Sequence, residues 1–140
     1  MRNTLLLFLF FFALILGANQ TLFAQTEPIL YFCEQYDDTD GEIGVSDRFT
    51  TGYLTVMVKC GYALGLTNVS IQFDKYDEKT KKFEYYKIFP YEVNPDMDYI
   101  FFAKNDESDL QFEEVGFYRV FLLDNEDRTV ASALIEIIKD

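Results

Sequence analysis

The amino-acid sequence predicts an all-β protein, built as an antiparallel two-sheet β-sandwich of about seven strands. Three observations support this class: short runs in which apolar and polar residues alternate, turn-rich segments between those runs, and no apolar pattern at helical spacing longer than about two turns. Runs of this length and spacing, within roughly 110 residues, are typical of two sheets that pack face to face.

Two runs show the alternation of a half-buried strand most clearly. Residues 69–74 read VSIQFD, so Val69, Ile71 and Phe73 would point inward while their neighbours point to solvent. Residues 53–60 follow the same period of two. We predict the remaining strands at residues 29–36, 83–89, 99–103, 117–123 and 129–138.

The first 24 residues have the pattern of a secretory signal peptide. Arg2 precedes an unbroken apolar run at residues 5–16, and Ala24 stands before the polar residue Gln25. Twelve apolar residues span about 18 Å as a helix, less than the roughly 30 Å hydrocarbon core, which favours a cleaved signal over a membrane anchor. The ending F-A-Q resembles signal cleavage sites of Gram-negative bacteria. We therefore expect a single domain at residues 25–140, in the periplasm or secreted.

The charge of the chain excludes several classes of partner. Twelve basic and 24 acidic residues give a formal net charge of −12, and removal of Arg2 with the signal makes it one unit more negative. Such a field repels nucleic acid and anionic lipid surfaces. We expect no nucleic-acid partner and no membrane insertion after signal cleavage.

The chain contains no histidine, which excludes Ser-His-Asp and Cys-His catalysis as well as histidine-ligated zinc. Two cysteines cannot form a four-cysteine zinc site, and no glycine-rich phosphate loop or GxSxG motif is present. Paired carboxylates, as used in glycoside hydrolysis, are the chemistry that remains. We expect a non-catalytic protein without a cofactor, and a small carboxylate-dependent hydrolase is the less favoured alternative.

The acidic stretch QYDDTDGEIGVSD, residues 35–47, is the one candidate metal site. Aligned with a calcium-binding loop of the EF-hand type, Gly41 takes position 6, and positions 3, 5 and 12 fall on Asp38, Asp40 and Asp47. Position 1 carries a tyrosine instead of a carboxylate, and both flanks have the pattern of strands, not helices. An acidic turn between two strands explains the stretch better, and weak calcium binding remains a hypothesis.

Cys33 and Cys60 are a candidate disulfide. An exported protein with an even number of cysteines can carry one, and these two residues lie in predicted strands that could be neighbours. The bond requires Cα atoms about 4.4–6.8 Å apart, which neighbouring strands do not guarantee. The alternative is a pair of buried thiols that pack as small apolar side chains.

The segment EVGFYRV contains a local pattern that sharpens the predicted topology. Glu114, Gly116 and Tyr118 have the spacing found before strand F of immunoglobulin domains, and Val120 stands where antibody domains carry cysteine. In this respect the segment resembles the immunoglobulin family, although the chain lacks tryptophan entirely. The resemblance implies an immunoglobulin-like sandwich in which the Tyr118 hydroxyl bonds back to nearby backbone as a tyrosine corner. It also implies that the last run, residues 129–138, is strand G.

We expect the protein to bind another macromolecule, because it offers no catalytic set and its many tyrosines suit binding faces. A carbohydrate-binding module is the alternative, since sugars can stack on aromatic rings, although the absence of tryptophan weakens it. The tyrosines that could serve such stacking are Tyr31, Tyr62, Tyr85, Tyr86, Tyr91 and Tyr99.

The last predicted strand is the candidate contact with a protein partner. Edge strands expose unpaired backbone groups that invite strand addition, and this strand carries Glu136 as its single charged residue. Either another strand covers it, with the N-terminal one as the candidate, or an unknown protein or a second copy does. Leu134 and Ile138 would then contribute to the contact. The phase that should face the core is wholly apolar: Ala131, Ala133, Ile135 and Ile137.

Overall fold

The computed structural model describes residues 27–102 and 110–139, and this part of the chain forms strands and turns without a helix. The signal peptide expected at residues 1–24 and the end of the strand expected at residues 99–103 lie outside the described residues. No helix in the described ranges is long and apolar enough to cross a membrane. The strands are β1 (Ile29–Cys33), β2 (Gln35–Asp37), β3 (Gly41–Ile43), β4 (Arg48–Thr50), β5 (Gly52–Tyr53), β6 (Thr55–Lys59), β7 (Asn68–Asp77), β8 (Lys82–Glu92), β9 (Tyr99–Phe102), β10 (Gln111–Phe112), β11 (Gly116–Leu123) and β12 (Thr129–Ile138).

The larger sheet has five strands in the order β4-β12-β11-β7-β8. Its neighbours are antiparallel except for β4, which runs parallel to β12. The carboxylates of Asp77 and Asp124 shape the turns of its two hairpins, because each accepts two backbone N–H groups from the residues that follow it. Aspartate is favoured in turns for this bonding pattern.

A second sheet has three antiparallel strands in the order β1-β6-β9, accompanied by the β2–β3 hairpin and the short β5–β10 pair. The central strand β6 is buried on both faces. Val56 and Val58 point into the core, while Met57 points the other way and lies in register between Tyr31 and Phe101.

Buried side chains from the two larger sheets form one hydrophobic cluster. Each strand contributes every second residue, as the period of two requires. Burial of one such aliphatic or phenylalanine side chain stabilises the fold by roughly 1.5–3 kcal/mol. The largest fully buried side chains in the described ranges include Tyr118, Phe32, Phe73, Phe112, Met57, Ile71, Leu110 and Leu122.

The all-β class is confirmed, and so are the predicted inward faces of residues 69–74 and of the last strand. The strand count differs, because two predicted runs are each divided into two strands and because β3, β4 and β10 are short strands outside the predicted runs. The backbone N–H of Glu34 donates to Ile43 and turns the chain into the β2–β3 hairpin, and that of Leu54 donates to Leu110 between β5 and β6. The two divided runs and the three unpredicted strands together give the twelve strands of the described residues.

Candidate functional site

The acidic stretch forms the turn of the β2–β3 hairpin. The Asp37 carboxylate accepts the backbone N–H groups of Thr39 and Asp40, at 2.7 and 3.1 Å. These bonds hold the pKa of Asp37 below its ordinary value. Gly41 follows with φ of 75°, a left-handed conformation that glycine adopts without steric cost. The stretch therefore has the bonding pattern of a turn closed by its own first aspartate.

The calcium hypothesis receives no support from this geometry. Asp38 and Asp40 are exposed in the turn, whereas Asp47 lies next to β4, beyond the hairpin. In the ranges that the structure describes, no group of three or more acidic or cysteine side chains could hold a metal ion. Calorimetry with millimolar calcium decides the question. A heat of calcium binding that is present in the wild type and lost in the Asp38→Ala, Asp40→Ala double variant would support the hypothesis. No heat of binding to the wild type would dismiss it.

The structure does not form the candidate disulfide: Cys33 and Cys60 are free thiols, Cys33 at the end of β1 and Cys60 just beyond the far end of β6. Cys33 stands opposite Thr55, the first residue of β6, and Cys60 is five positions further along the chain, just beyond Lys59. That separation is about 17 Å at roughly 3.3 Å per residue, well beyond the span of a disulfide. Burial raises the pKa of the Cys33 thiol, and the Cys60 thiol donates to the carbonyl oxygen of Tyr62 at 2.8 Å.

The residues of the immunoglobulin-like pattern come together at the start of β11. The buried Tyr118 hydroxyl donates to the carbonyl oxygen of Glu114 at 2.7 Å. Its ring makes edge contacts with Phe112 and Tyr86, at centroid distances of 5.1 and 5.7 Å. Burial, together with Tyr86 and Glu114, raises the pKa of Tyr118. Gly116, with φ of 142°, occupies a conformation that other residues rarely adopt.

A surface that the sequence did not identify lies on the five-stranded sheet. We call it the outer face, meaning the side chains of this sheet that point away from the hydrophobic cluster. The ladders place Leu134, Arg119, Asp74 and Tyr85 in one row across β12, β11, β7 and β8. At about 4.8 Å per strand, the row spans roughly 14 Å. Tyr85 is 64% exposed, Leu134 58% and the nearby Phe117 50%.

Arg119 is the centre of the outer face. Its guanidinium lies over the rings of Phe83 and Phe121, 5.0 and 4.8 Å from their centroids. One terminal nitrogen is 3.3 Å from the buried carboxylate of Asp74, which also accepts a bond from Gln72. The Arg119 Nε is buried and has no hydrogen-bond partner in the described part of the chain. Aromatic stacking and the ion pair therefore fix a guanidinium in the middle of an apolar surface.

One signal of this face was present in the sequence. The outward positions of β11 are Phe117, Arg119 and Phe121, so two of the three carry aromatic rings. The sequence could not show which residues lie beside them, because Phe83 reaches Arg119 only through the registers of β7 and β8.

The two predicted contact residues of β12 lie in different surroundings. Ile138 pairs with Thr50 of β4, so another strand covers this end of β12. Leu134 lies beyond the reach of β4 and lines an open groove of about 450 Å³. The groove is bounded by Ser46, Asp47, Arg48, Phe117, Leu134, Ile135 and Glu136.

A carboxylate with two tyrosines lies on the three-stranded sheet and the hairpin beside it, with Tyr31 in β1, Tyr99 in β9 and Glu42 in β3. The Tyr31 hydroxyl donates to Glu42, and this bond is the main cause that lowers the pKa of Glu42 to about 2. Burial, then Glu42, raises the pKa of Tyr31 and raises that of Tyr99 to about 12. Tyr36 stacks on Phe101 next to this cluster, with centroids 4.3 Å apart. These groups bond and stack with one another, as a structural cluster does.

The tyrosines that could have stacked on sugars are dispersed. Tyr31 and Tyr99 share the Glu42 cluster, Tyr85 lies on the outer face, and Tyr86 and Tyr91 pack against the hydrophobic cluster. They form no single aromatic platform within the described residues.

A scan of the chain against protein-family models finds no match, and a search of curated proteins finds none either. Two surfaces stand out by geometry: the outer face with Arg119 at its centre, and the part of β12 around Leu134 that β4 does not reach. Both lie on the five-stranded sheet.

Proposed function

We propose that this protein is an exported, non-catalytic, immunoglobulin-like β-sandwich that binds another protein through the outer face of its five-stranded sheet. The observation that carries the proposal is an exposed apolar surface with a fixed arginine at its centre. Export rests on the signal pattern at residues 1–24, which no structural observation addresses.

The order of the strands supports the immunoglobulin-like assignment. Named in the manner of that family, β12, β11, β7 and β8 would be G, F, C and C′ of one sheet, and β1, β6 and β9 would be A, B and E of the other. The hydrogen bond from Tyr118 to Glu114 has the form of a tyrosine corner at the start of strand F. The common hydrophobic cluster supports a sandwich of the two sheets.

The composition of the outer face favours a protein partner. Binding hot spots are enriched in tyrosine and arginine and lie in well-packed surroundings. Tyr85 and Arg119 belong to one row of the sheet, and Arg119 is held by two rings and a carboxylate. A side chain held in this way loses little conformational entropy when a partner packs on it.

The dispersed tyrosines make the carbohydrate alternative less favourable than a protein partner. A sugar site needs rings that are free to stack, whereas Tyr36 and Phe101 stack on each other, and Tyr31 is bonded to Glu42. The carboxylate hydrolase remains the least favoured alternative, since within residues 27–102 and 110–139 no pair of carboxylates is marked out by its geometry.

The experiment is affinity capture from the exported fraction of the native cell, with the purified mature protein as bait. Tyr85→Glu should reduce capture of a specific partner at least tenfold, or about 1.4 kcal/mol of binding free energy, because it places a charge in the same row of the outer face as Arg119. The matched control is Ile29→Glu, which alters a 63% exposed residue of β1 opposite Lys59, away from the outer face.

Capture that is lost with Tyr85→Glu and retained with Ile29→Glu would support the proposal. Equal capture by both variants would show that the outer face is not the binding surface. Circular dichroism and the unfolding midpoint of each variant verify that the fold is intact.

A further inference from the structure

A second buried layer lies on the side of the three-stranded sheet that faces away from the hydrophobic cluster. Cys33 and Met57 are fully buried, yet neither belongs to that cluster. Thr55, which stands opposite Cys33 on the same side of the sheet, is buried as well. Side chains that point away from the core of a sandwich normally face solvent, so another element must cover these three. Burial, and after it the Glu42 carboxylate of β3, raises the pKa of the Cys33 thiol, which indicates that the β2–β3 hairpin lies close to it.

The β2–β3 hairpin crosses over Met57. On the sheet, Met57 lies in register between Tyr31 of β1 and Phe101 of β9. On one flank, the Tyr31 hydroxyl donates to Glu42. On the other flank, Tyr36 stacks on Phe101. Tyr36 and Glu42 stand opposite each other in the hairpin, and such partners point to the same face, so this one pair bridges both flanks above Met57.

The hairpin is held to the sheet mainly by side chains. Among the described residues, β2 and β3 pair with each other and with no other strand, and a bridge between Phe32 and Ser46 lies at their base. Neither strand contains a buried residue. A hairpin of two strands is only marginally stable by itself. Its closed position therefore depends on contacts such as the Tyr31 hydroxyl with Glu42 and the Tyr36 ring with Phe101.

We propose that this hairpin, residues 35–43, is a strap that opens as a unit while the two larger sheets stay folded. Its opening uncovers an apolar strip of the three-stranded sheet that contains Cys33, Met57 and Phe101. Proteins open locally in cooperative units whose free energies lie below that of global unfolding, and few buried contacts mark such units. The strip is accessible in the open state alone, so a ligand with affinity for it would shift the population towards the open state.

This inference goes beyond the proposed partner binding and can fail independently of it. The strap lies on the three-stranded sheet, whereas capture through Tyr85 uses the outer face of the five-stranded sheet. Loss of capture with Tyr85→Glu in a protein whose strap does not open by itself would refute the strap alone.

Cys33 supplies the test, because its buried thiol can react with an external reagent only when the strap or the whole domain is open. Cys60→Ser leaves Cys33 as the single thiol and keeps a donor for the carbonyl oxygen of Tyr62. The reagent is N-ethylmaleimide, followed by intact mass. When closing is faster than the reaction, the labelling rate follows the open population. Labelling should be faster than global unfolding allows and should rise with urea much less steeply than the global m-value requires.

Two substitutions in this background should loosen the strap. Tyr36→Ala removes an aromatic stack and should speed labelling about fivefold. Tyr31→Phe removes a hydrogen bond to a carboxylate and should speed it at least about tenfold. Tyr118→Phe is the matched control, because it removes a buried hydrogen bond of β11, on the other sheet, and should lower the ratio of folded to unfolded protein about fivefold. A strap that opens by itself leaves labelling in this control unchanged.

Faster labelling in Tyr36→Ala and Tyr31→Phe, with the wild-type rate in Tyr118→Phe, would support the proposal. Labelling in Tyr118→Phe that rises in proportion to its loss of global stability would overturn it, because Cys33 would then be reached only by unfolding of the whole domain. Labelling that does not respond to either strap substitution would overturn it as well. Urea unfolding of each variant gives the global stability that these comparisons require.

Discussion

Tyr118 allows the contribution of a hydroxyl to be separated from that of the ring that carries it. The side chain is fully buried, its hydroxyl donates to Glu114, and its ring contacts Phe112 and Tyr86. Tyr118→Phe removes the hydroxyl and keeps the ring, whereas Tyr118→Ala removes both.

The two substitutions should lower the free energy of unfolding by amounts that differ several-fold. Loss of a hydrogen bond costs about 0.5–1.5 kcal/mol of unfolding free energy. We expect about 1 kcal/mol for Tyr118→Phe, the middle of this range. Removal of a buried aromatic ring costs about 3–5 kcal/mol. That value for Tyr118→Ala is a large part of the 5–15 kcal/mol typical of a whole domain.

Urea unfolding followed by circular dichroism measures both values. Tyr85→Phe, at an exposed position, is the control and should change the unfolding free energy by less than about 0.5 kcal/mol. The reasoning would be refuted if Tyr118→Phe had no effect at unchanged m-value. In that case the bond to Glu114 would not contribute to stability, and the tyrosine-corner interpretation would lose its energetic basis.

Three further predictions concern other parts of the molecule. Arg119→Ala should cost about 1.5–3 kcal/mol by urea unfolding, because it leaves the buried carboxylate of Asp74 without its cation; an unchanged midpoint would contradict the ion pair. Gly116→Ala should cost about 1–3 kcal/mol by the same assay, because φ of 142° strains any residue with a Cβ, and a neutral result would argue against this backbone conformation. The lowered pKa of Glu42 stabilises the folded state above the ordinary pKa of 4.5, and this contribution is lost as the pH falls towards about 2. Tyr31→Phe should therefore reduce the loss of stability between pH 4.5 and 2, and superimposable pH profiles would show that Tyr31 does not lower the pKa.

The sequence was most informative where a strand has one buried face. In β12 the apolar phase that contains Ile135 and Ile137 is buried, and the other phase contains the exposed Leu134. The bounds predicted for this strand agree with the structure. Alternation predicts such faces because every second side chain of a strand points to the same face of the sheet, regardless of which strand pairs with it.

Contacts between strands could not be predicted in the same way, since they depend on register. The parallel pairing of β4 with β12 joins residues far apart in the sequence, and β4 is too short to be recognised by its pattern. The register of β1 and β6 also separates Cys33 from Cys60, because Cys33 pairs with Thr55 at the start of β6 and Cys60 follows the last residue of β6, Lys59. The outer face, which is the main candidate site, depends on the registers of three strand pairs: β12 with β11, β11 with β7, and β7 with β8.

The claim that this protein binds a partner through the outer face of its five-stranded sheet is tested most directly by affinity capture from the exported fraction of the native cell, with the wild type, Tyr85→Glu and Ile29→Glu as baits. We predict that Tyr85→Glu reduces capture of a specific partner at least tenfold, because Tyr85 lies in the same row of the sheet as Arg119. Ile29→Glu, on β1, should leave capture unchanged. Equal capture by both variants would contradict the account.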